Sequence, residues 1–285
     1  MSTSIDTELT EFHASLAAEG LAPLWEVMRD LAPREPRPVV KPAIWRAECL
    51  RKNVLTAGRL ITAERAERRV VILENPTLKG RSQVTTSLYA GVQLILPGEI
   101  APTHRHTASA LRLIMEGEGG YTIVDGERVE MHRGDFVITP TWSFHDHGAE
   151  GDQPVMWLDG LDVPIVSLLN AGFSEDGANG RQPVTKPIGD SVSRYASGLI
   201  PVNYHPRGST SPIFWYPYRR TREALVQMCL AGEFDPAEGI RSAFVDPTTG
   251  QSPIRTMGAF RQVSANGPAI RRVLPRRRRA ARTPQ

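Results

Sequence analysis

Four of the seven histidines in this 285-residue chain fall in two short clusters, His104-Arg105-His106 and His145-Asp146-His147. On a β-strand residues i and i+2 share a face, so His104 and His106 present two imidazoles together and Arg105 turns away. His145 and His147 repeat the arrangement. A metal site needs several neutral imidazoles converging within about 2.0–2.3 Å of one ion. A single H-x-H is weak evidence, because a pair at the rim of a sheet can simply be hydrogen-bonded. Two such pairs with a hairpin between them point to metal, provided both strands line the inside of one barrel.

The flanking sequence supplies such strands. From Val70 the apolar pattern takes a period of two: "VVILENP" reads as a strand, and "TTSLYAGVQLILPG" alternates until Pro97-Gly98 closes it. "ALRLIMEGEGGYTIVDGERVEMHRGDFVITP" divides into short strands at Gly117–Gly120, Asp125-Gly126 and Arg133–Asp135, and Asp-Gly between alternating segments is a hairpin signal. "PVMWLDGLDVPIVSLL" adds more. Short strands at this rhythm indicate a mainly β fold, an antiparallel sandwich or barrel. "GEGG" at 117–120 is no phosphate loop, since no helix follows it.

Upstream, Ile5, Leu9, Phe12 and Leu16, then Leu24, Met28 and Leu31, have helical spacing broken near Gly20 and Pro23. Residues 32–42 carry four prolines and read as an extended connector, and residues 43–69 as mostly helix interrupted at Gly58. Residues 170–218 are rich in Gly, Pro, Ser and Asn and are expected to form long loops, with a helix at 219–231. The resulting division is an N-terminal helical region (1–69), a barrel (70–170), a loop-rich stretch with one helix (171–260) and a tail (261–285).

The formal charge of +3 conceals an asymmetry. The tail holds eight arginines and no acidic residue, so the first 260 residues carry 26 basic and 31 acidic side chains, a net −5. An arginine run can bind nucleic acid electrostatically; the plainer reading is a disordered, solvated tail. The body does not have the charge of a nucleic-acid binder. No apolar run is long enough to span a membrane, the N-terminus has no signal-peptide pattern, and Cys49 and Cys229 form no disulfide framework, which suits a reducing cytoplasm.

Gly98, His104, His106 and Gly117 resemble the first cupin motif, and Gly134, Pro140 and His145 the second. The glutamate of the first motif falls at Ala110. The segments "ITAERAERRVVILENP", "SLYAGVQLILPGE", "HRHTASALRLIMEGEGGYTIVDGERVEMHRGDFVITP" and "WLDGLDVP" resemble, more narrowly, the gentisate 1,2-dioxygenase family, over about residues 20 to 260. That resemblance implies a cupin (a double-stranded β-helix or jelly-roll barrel) with N-terminal helices and Fe(II) held by His104, His106 and His145. It also implies O2-dependent ring cleavage of an aromatic hydroxy acid, gentisate to maleylpyruvate, in a homo-oligomer. Salicylate and 1-hydroxy-2-naphthoate are the alternative substrates, and a catalytically silent metal-binding cupin is the alternative role. Family members are two-cupin chains. The loss of apolar alternation after Phe260 is therefore read as a truncated or frameshifted C-terminal region, with a natural short variant as the alternative.

The remaining site residues follow from parity and resemblance together. Arg112 keeps the parity of His104 and His106, which aims it inward to stabilise an anion; alone, it would read as a surface strand arginine. The resemblance makes His147 an acid/base or substrate-binding group, against a ligand swap or a structural hydrogen bond. Gln93 and Tyr89 share one strand face and resemble pocket positions. Asp159 is expected to orient His147 or the substrate, or else to cap a turn. Arg68 is a candidate for the substrate carboxylate, although "AERAERR" otherwise reads as a solvated helical face.

Overall fold

The computed structural model describes residues 2–206, 210–232, 235 and 237–264. In chain order the elements are α1 (Ser2–Ala18), α2 (Leu24–Leu31), α3 (Ala47–Leu60), α4 (Ala63–Ala66), β1 (Val70–Ile72), β2 (Tyr89–Ile95), β3 (Ile100–His106), β4 (Ala110–Glu116), β5 (Gly120–Val124), β6 (Glu127–Met131), β7 (Phe136–Thr139), β8 (His145–Ala149), β9 (Val155–Leu161), α5 (Val163–Leu168), β10 (Ser174–Asp176), α6 (Asp190–Tyr195), β11 (Trp215–Tyr216), α7 (Tyr218–Ala231), β12 (Ile240–Ala243) and β13 (Phe260–Val263). By internal contacts the chain divides into Met1–Lys41 and Pro42–Gln285. The first unit is α1 and α2, parted at Gly20–Pro23 as the breaker residues predict. Leu24, Trp25, Met28 and Leu31 of α2 are exposed.

The second unit holds two antiparallel sheets, ordered β1-β2-β9-β4-β7-β11 and β10-β3-β8-β5-β6. Between them lie Ile95, Ala101, Ile114, Met131, Ala149, Val155 and Trp157, contributed by strands of both sheets. This is a jelly-roll barrel. Trp157 has no exposed surface, and burying a side chain of that size supplies several kcal/mol, on the order of 25 cal/mol per Å² of apolar area.

The outer face of β2 and β9 is covered by α3: Val54 and Leu50 pack on Val92, Leu94 and Met156. The helix runs unbroken through Gly58, contrary to the expected interruption. A Cβ there would come within 2.7 Å of Leu94 Cδ2, so the glycine serves close helix–sheet approach rather than helix ending.

The stretch expected to be long loops is also more ordered. β10 pairs with β3, and β11 pairs with β7 through Trp215↔Val137 and Tyr216↔Phe136. Downstream, Phe244, Ile254 and Met257 join one core with Phe136, Val137 and Ile138. Trp215 and Tyr216 therefore close the β7 edge of the sheet, and Phe244, Ile254 and Met257 pack against β7. The tail boundary also shifts: Arg261–Val263 belong to β13, Arg261 donates to the Gly134 carbonyl at 2.6 Å, and its guanidinium lies over the Tyr218 ring at 4.7 Å. Arg261 is thus a packing residue of the barrel; residues 265–285 of the arginine-rich stretch lie outside the described residues.

Candidate active site

β3 and β8 pair antiparallel, with a register shift between Ala101 and His104 that sets His104 directly opposite His145. A bulge of this kind re-aims side chains locally. His106 lies two residues beyond His104 on the same face, and the ligand nitrogens of His104, His106 and His145 all fall within 4.8 Å of one another. Ring centroids are 4.2 Å apart for His104–His145, 4.9 Å for His106–His145 and 5.2 Å for His104–His106. The intervening residues face the other way. Arg105 pairs with Glu175 at 2.7 Å between the Trp142 and Phe144 rings, and Asp146 accepts from Thr103 and from the Gln182 amide.

Two of the three donors, His106 and His145, are set for a dication, whereas His104 Nδ1 faces the Arg68 guanidinium, which can only donate. His106 Nδ1 lies 2.6 Å from the Ala108 carbonyl, and His145 Nδ1 2.9 Å from that of Ser143. A carbonyl can only accept, so both Nδ1 atoms carry the proton and leave the Nε2 lone pairs free to ligate. Burial holds all three rings neutral: His104 is pushed down to about 3, His106 is lowered, and His145 lies well below the usual value, with Arg112 adding to each shift. Buried Ala110 occupies the cavity wall where a fourth, carboxylate donor is missing. Three neutral nitrogens without a carboxylate leave a divalent ion its full charge and open positions.

The cluster lies in the wall of a cavity of about 480 Å³, enough for a single aromatic acid. Facing strands β2, β9 and β4 are in register as Tyr89↔Leu161↔Ala110 and Gly91↔Asp159↔Arg112, so Tyr89, Gln93, Asp159 and Arg112 share the cavity face. Arg112 is buried, donates to Thr139 Oγ1 at 2.6 Å, and pairs with Asp159 through Nε–Oδ1 at 3.1 Å. That ion pair is close but not aligned as a hydrogen bond; Asp159 accepts one from Trp157 Nε1 at 2.9 Å. Burial pushes Asp159 up to about 6 and lowers Arg112, each opposed by the partner's charge. Burial also pushes the Tyr89 phenol up to about 12, so it stays a neutral donor.

Each predicted residue can now be placed. His104, His106, His145, His147, Arg112, Asp159, Gln93, Tyr89 and Arg68 all line this one cavity. His147 packs edge-on against Trp157, with ring centroids 5.4 Å apart, and is held neutral, well below its usual value, by burial and then by Arg112. Its Nδ1 and Gln93 Nε2 are buried without a partner among the described residues, so both are available to a ligand. Asp159 sits mid-strand rather than in a turn. Its carboxylate holds Arg112, and no hydrogen bond joins it to His147 among the described residues. Arg68 does not lie on a solvated helix. α4 ends at Ala66, Glu67 takes φ 52°, and Arg68 reaches the Pro102 carbonyl and His104 Nδ1.

Trp157 and the mouth residues Arg81, Ser82, Val163 and Ser167 were not anticipated. Trp157 was within reach, since it shares strand parity with Asp159. Arg81 and Ser82 come from the connection between β1 and β2, and Val163 and Ser167 from α5, a helix where the sequence pattern predicts strand.

The barrel and its three convergent imidazoles define a cupin with a three-histidine metal-binding site. A family model described as "Cupin domain" matches residues 91–162. A gentisate 1,2-dioxygenase of Aquipseudomonas alcaligenes is 48% identical over 260 residues, covering 91% of this chain and 75% of that one. A 5-aminosalicylate 1,2-dioxygenase of Comamonas sp. is 34% identical, covering 91% and 70%. Among solved structures, the salicylate 1,2-dioxygenase of Pseudaminobacter salicylatoxidans superposes with a TM-score of 0.78 at 35% identity, over 87% of this chain and 72% of that one. The chain belongs to the gentisate 1,2-dioxygenase family of ring-cleaving cupin enzymes, and spans about three quarters of the length of these relatives.

Proposed function

We propose that the chain is an Fe(II)-dependent gentisate 1,2-dioxygenase. In the proposed reaction the ring bond between the carboxylate- and hydroxyl-bearing carbons breaks, and both atoms of O2 enter the product, maleylpyruvate. The observation that carries this reading is the single cavity that sets three neutral imidazoles opposite the buried pair Arg112–Asp159. Support comes from the 48%-identical gentisate dioxygenase.

His104, His106 and His145 are the ligands in this reading. Held there, Fe(II) would supply Lewis acidity toward the adjacent carboxylate and hydroxyl oxygens of the substrate and reducing power toward O2. Arg112, kept charged by Asp159, offers a fixed cation to oxygens that gain negative charge. His147 exchanges a proton with the substrate hydroxyl in this reading; burial and then Arg112 hold its ring neutral, so it enters the reaction with a nitrogen lone pair. Gln93 and Tyr89 hydrogen-bond the ring substituents, and Arg68 meets the carboxylate. The catalytic barrel is then residues 70–170, with Arg68 reaching in from the segment before it. A homo-oligomer in the cytoplasm completes the reading, and sedimentation of the purified chain tests its assembly. No helix among the described residues is long and apolar enough to cross a membrane.

Salicylate is the second reading, because a solved relative named for salicylate is also described as an adduct with gentisate. Purified protein is loaded anaerobically with Fe(II) and mixed with gentisate or salicylate before air is admitted. O2 uptake with gentisate loss, abolished in His104→Ala, is the expected result. Preferential loss of salicylate selects the second reading. Stoichiometric iron without turnover of either refutes both and leaves a silent cupin.

A further inference from the structure

The cavity has a floor and a mouth. His145, His147, Arg112 and Asp159 are buried at the floor, whereas Arg81 and Ser82, together with Val163 and Ser167 of α5, line the same cavity and are exposed. Among the lining cations, Arg112 is paired with Asp159, and Arg68 is engaged by the Pro102 carbonyl and His104. The Arg81 guanidinium makes no hydrogen bond or ion pair among the described residues.

The backbone that carries Arg81 is nevertheless fixed. The Glu74 carboxylate accepts the amides on either side of it, Gly80 at 3.0 Å and Ser82 at 2.8 Å. The Arg81 amide donates to the Leu78 carbonyl at 3.0 Å, and the Asn75 amide to that of Gln83 at 2.8 Å. A clamped loop thus presents one uncommitted cation at the opening. With neutral imidazoles the lining carries three arginines against one aspartate. Such a cleft concentrates anions at its mouth, and salt screens the effect over about 8–10 Å.

We propose that Arg81 is the capture residue for the substrate carboxylate: it draws aromatic acids into the cavity, sets the preference for anionic ligands and takes no part in ring cleavage. This rests on the ring-cleaving reading above and adds a binding role at the mouth. Because the effect is one of charge, Lys serves in place of Arg, whereas a paired, buried arginine such as Arg112 has a directional role that Lys fills poorly.

The test compares wild type, Arg81→Lys, Arg81→Gln and Arg81→Glu as Fe(II)-loaded protein. Salicylate affinity is measured anaerobically by calorimetry, and kcat and KM for the turned-over acid at low and high salt. Arg59→Gln, an exposed change on α3 outside the cavity lining, controls for net charge. The expected result is a loss of about fivefold in affinity and a matching rise in KM for Arg81→Gln at about 20 mM salt. The loss is larger for Arg81→Glu, near-complete rescue comes with Arg81→Lys, and the differences close at about 0.5 M salt. Arg81→Gln matching wild type at low salt overturns the proposal, as does a fall in kcat at unchanged KM, or an equal loss in Arg59→Gln. Wild-type protein that neither binds nor turns over any ortho-hydroxy aromatic acid overturns the proposed function, and with it this capture role. Turnover with an indifferent Arg81 overturns the capture role alone.

Discussion

Neutralising Asp159 as Asp159→Asn preserves the volume and the acceptor for Trp157 Nε1, but leaves Arg112 buried without its counter-charge. The side chains are 4% and 8% exposed, with the charged atoms 3.1 Å apart. At an effective dielectric of about 20 the attraction is about 5 kcal/mol, and desolvation of both charges offsets most of it. The two effects separate when the pair is broken: one charge keeps its desolvation cost and loses the attraction, so Asp159→Asn and Arg112→Met should each cost about 3–5 kcal/mol. The double variant removes both charges and should be more stable than the sum of the singles by at least about 2 kcal/mol. Urea unfolding of the metal-free protein measures this. With an m-value of about 3 kcal/mol/M, each single lowers the midpoint by about 1–1.7 M, and the double lowers it much less than both together. Turnover stays low in all three. Additive effects, or singles that each cost under about 1 kcal/mol, would show that the pair is hydrated and that Arg112 is not a pre-paid cation facing the cavity.

His147→Ala should retain stoichiometric iron, measured by metal analysis, while kcat drops by about 10²- to 10⁴-fold; loss of the metal instead would make His147 a ligand. Gly148→Ala places a Cβ 2.3 Å from Tyr121 Oη, on the strand that carries His145. It should cost about 1–3 kcal/mol and weaken metal affinity, read by chelator competition. The Arg69–Glu99 ion pair spans 2.8 Å, and hydrogen bonds from Arg69 hold the Glu99 carboxyl below the usual range. Its folded-state pKa is depressed, so its contribution is present above the ordinary glutamate value and is lost as pH falls through the lowered one. Glu99→Gln should therefore be less stable than wild type by about 2 kcal/mol at pH 7, with the gap shrinking below about pH 4. A gap that persists in acid in thermal or urea melts would assign the cost to packing.

The histidine pairs were legible because strand parity is local: i and i+2 share a face whatever the strand pairs with. That rule does not reach Arg112, because β3 ends at His106 and Arg112 lies on β4 in the other sheet, so its inward aim comes from how the two sheets face each other. Hairpin signals such as Asp125-Gly126 likewise determined the antiparallel class. Local rules missed Gly58, whose close approach to Leu94 involves a residue 36 positions away, and β11, a two-residue strand defined only by its pairing with β7. Arg261 belonged compositionally to the arginine run, yet Gly134 and Tyr218 make it part of the barrel.

By itself the sequence determined which residues can do chemistry and which side of each strand they occupy. The tertiary structure alone decided that the β3 register shift sets His104 opposite His145, that Asp159 serves Arg112, and that Arg81 stands at the mouth. Register and pairing are settled by contacts between residues far apart in the chain, whose energies appear only once the sheets close.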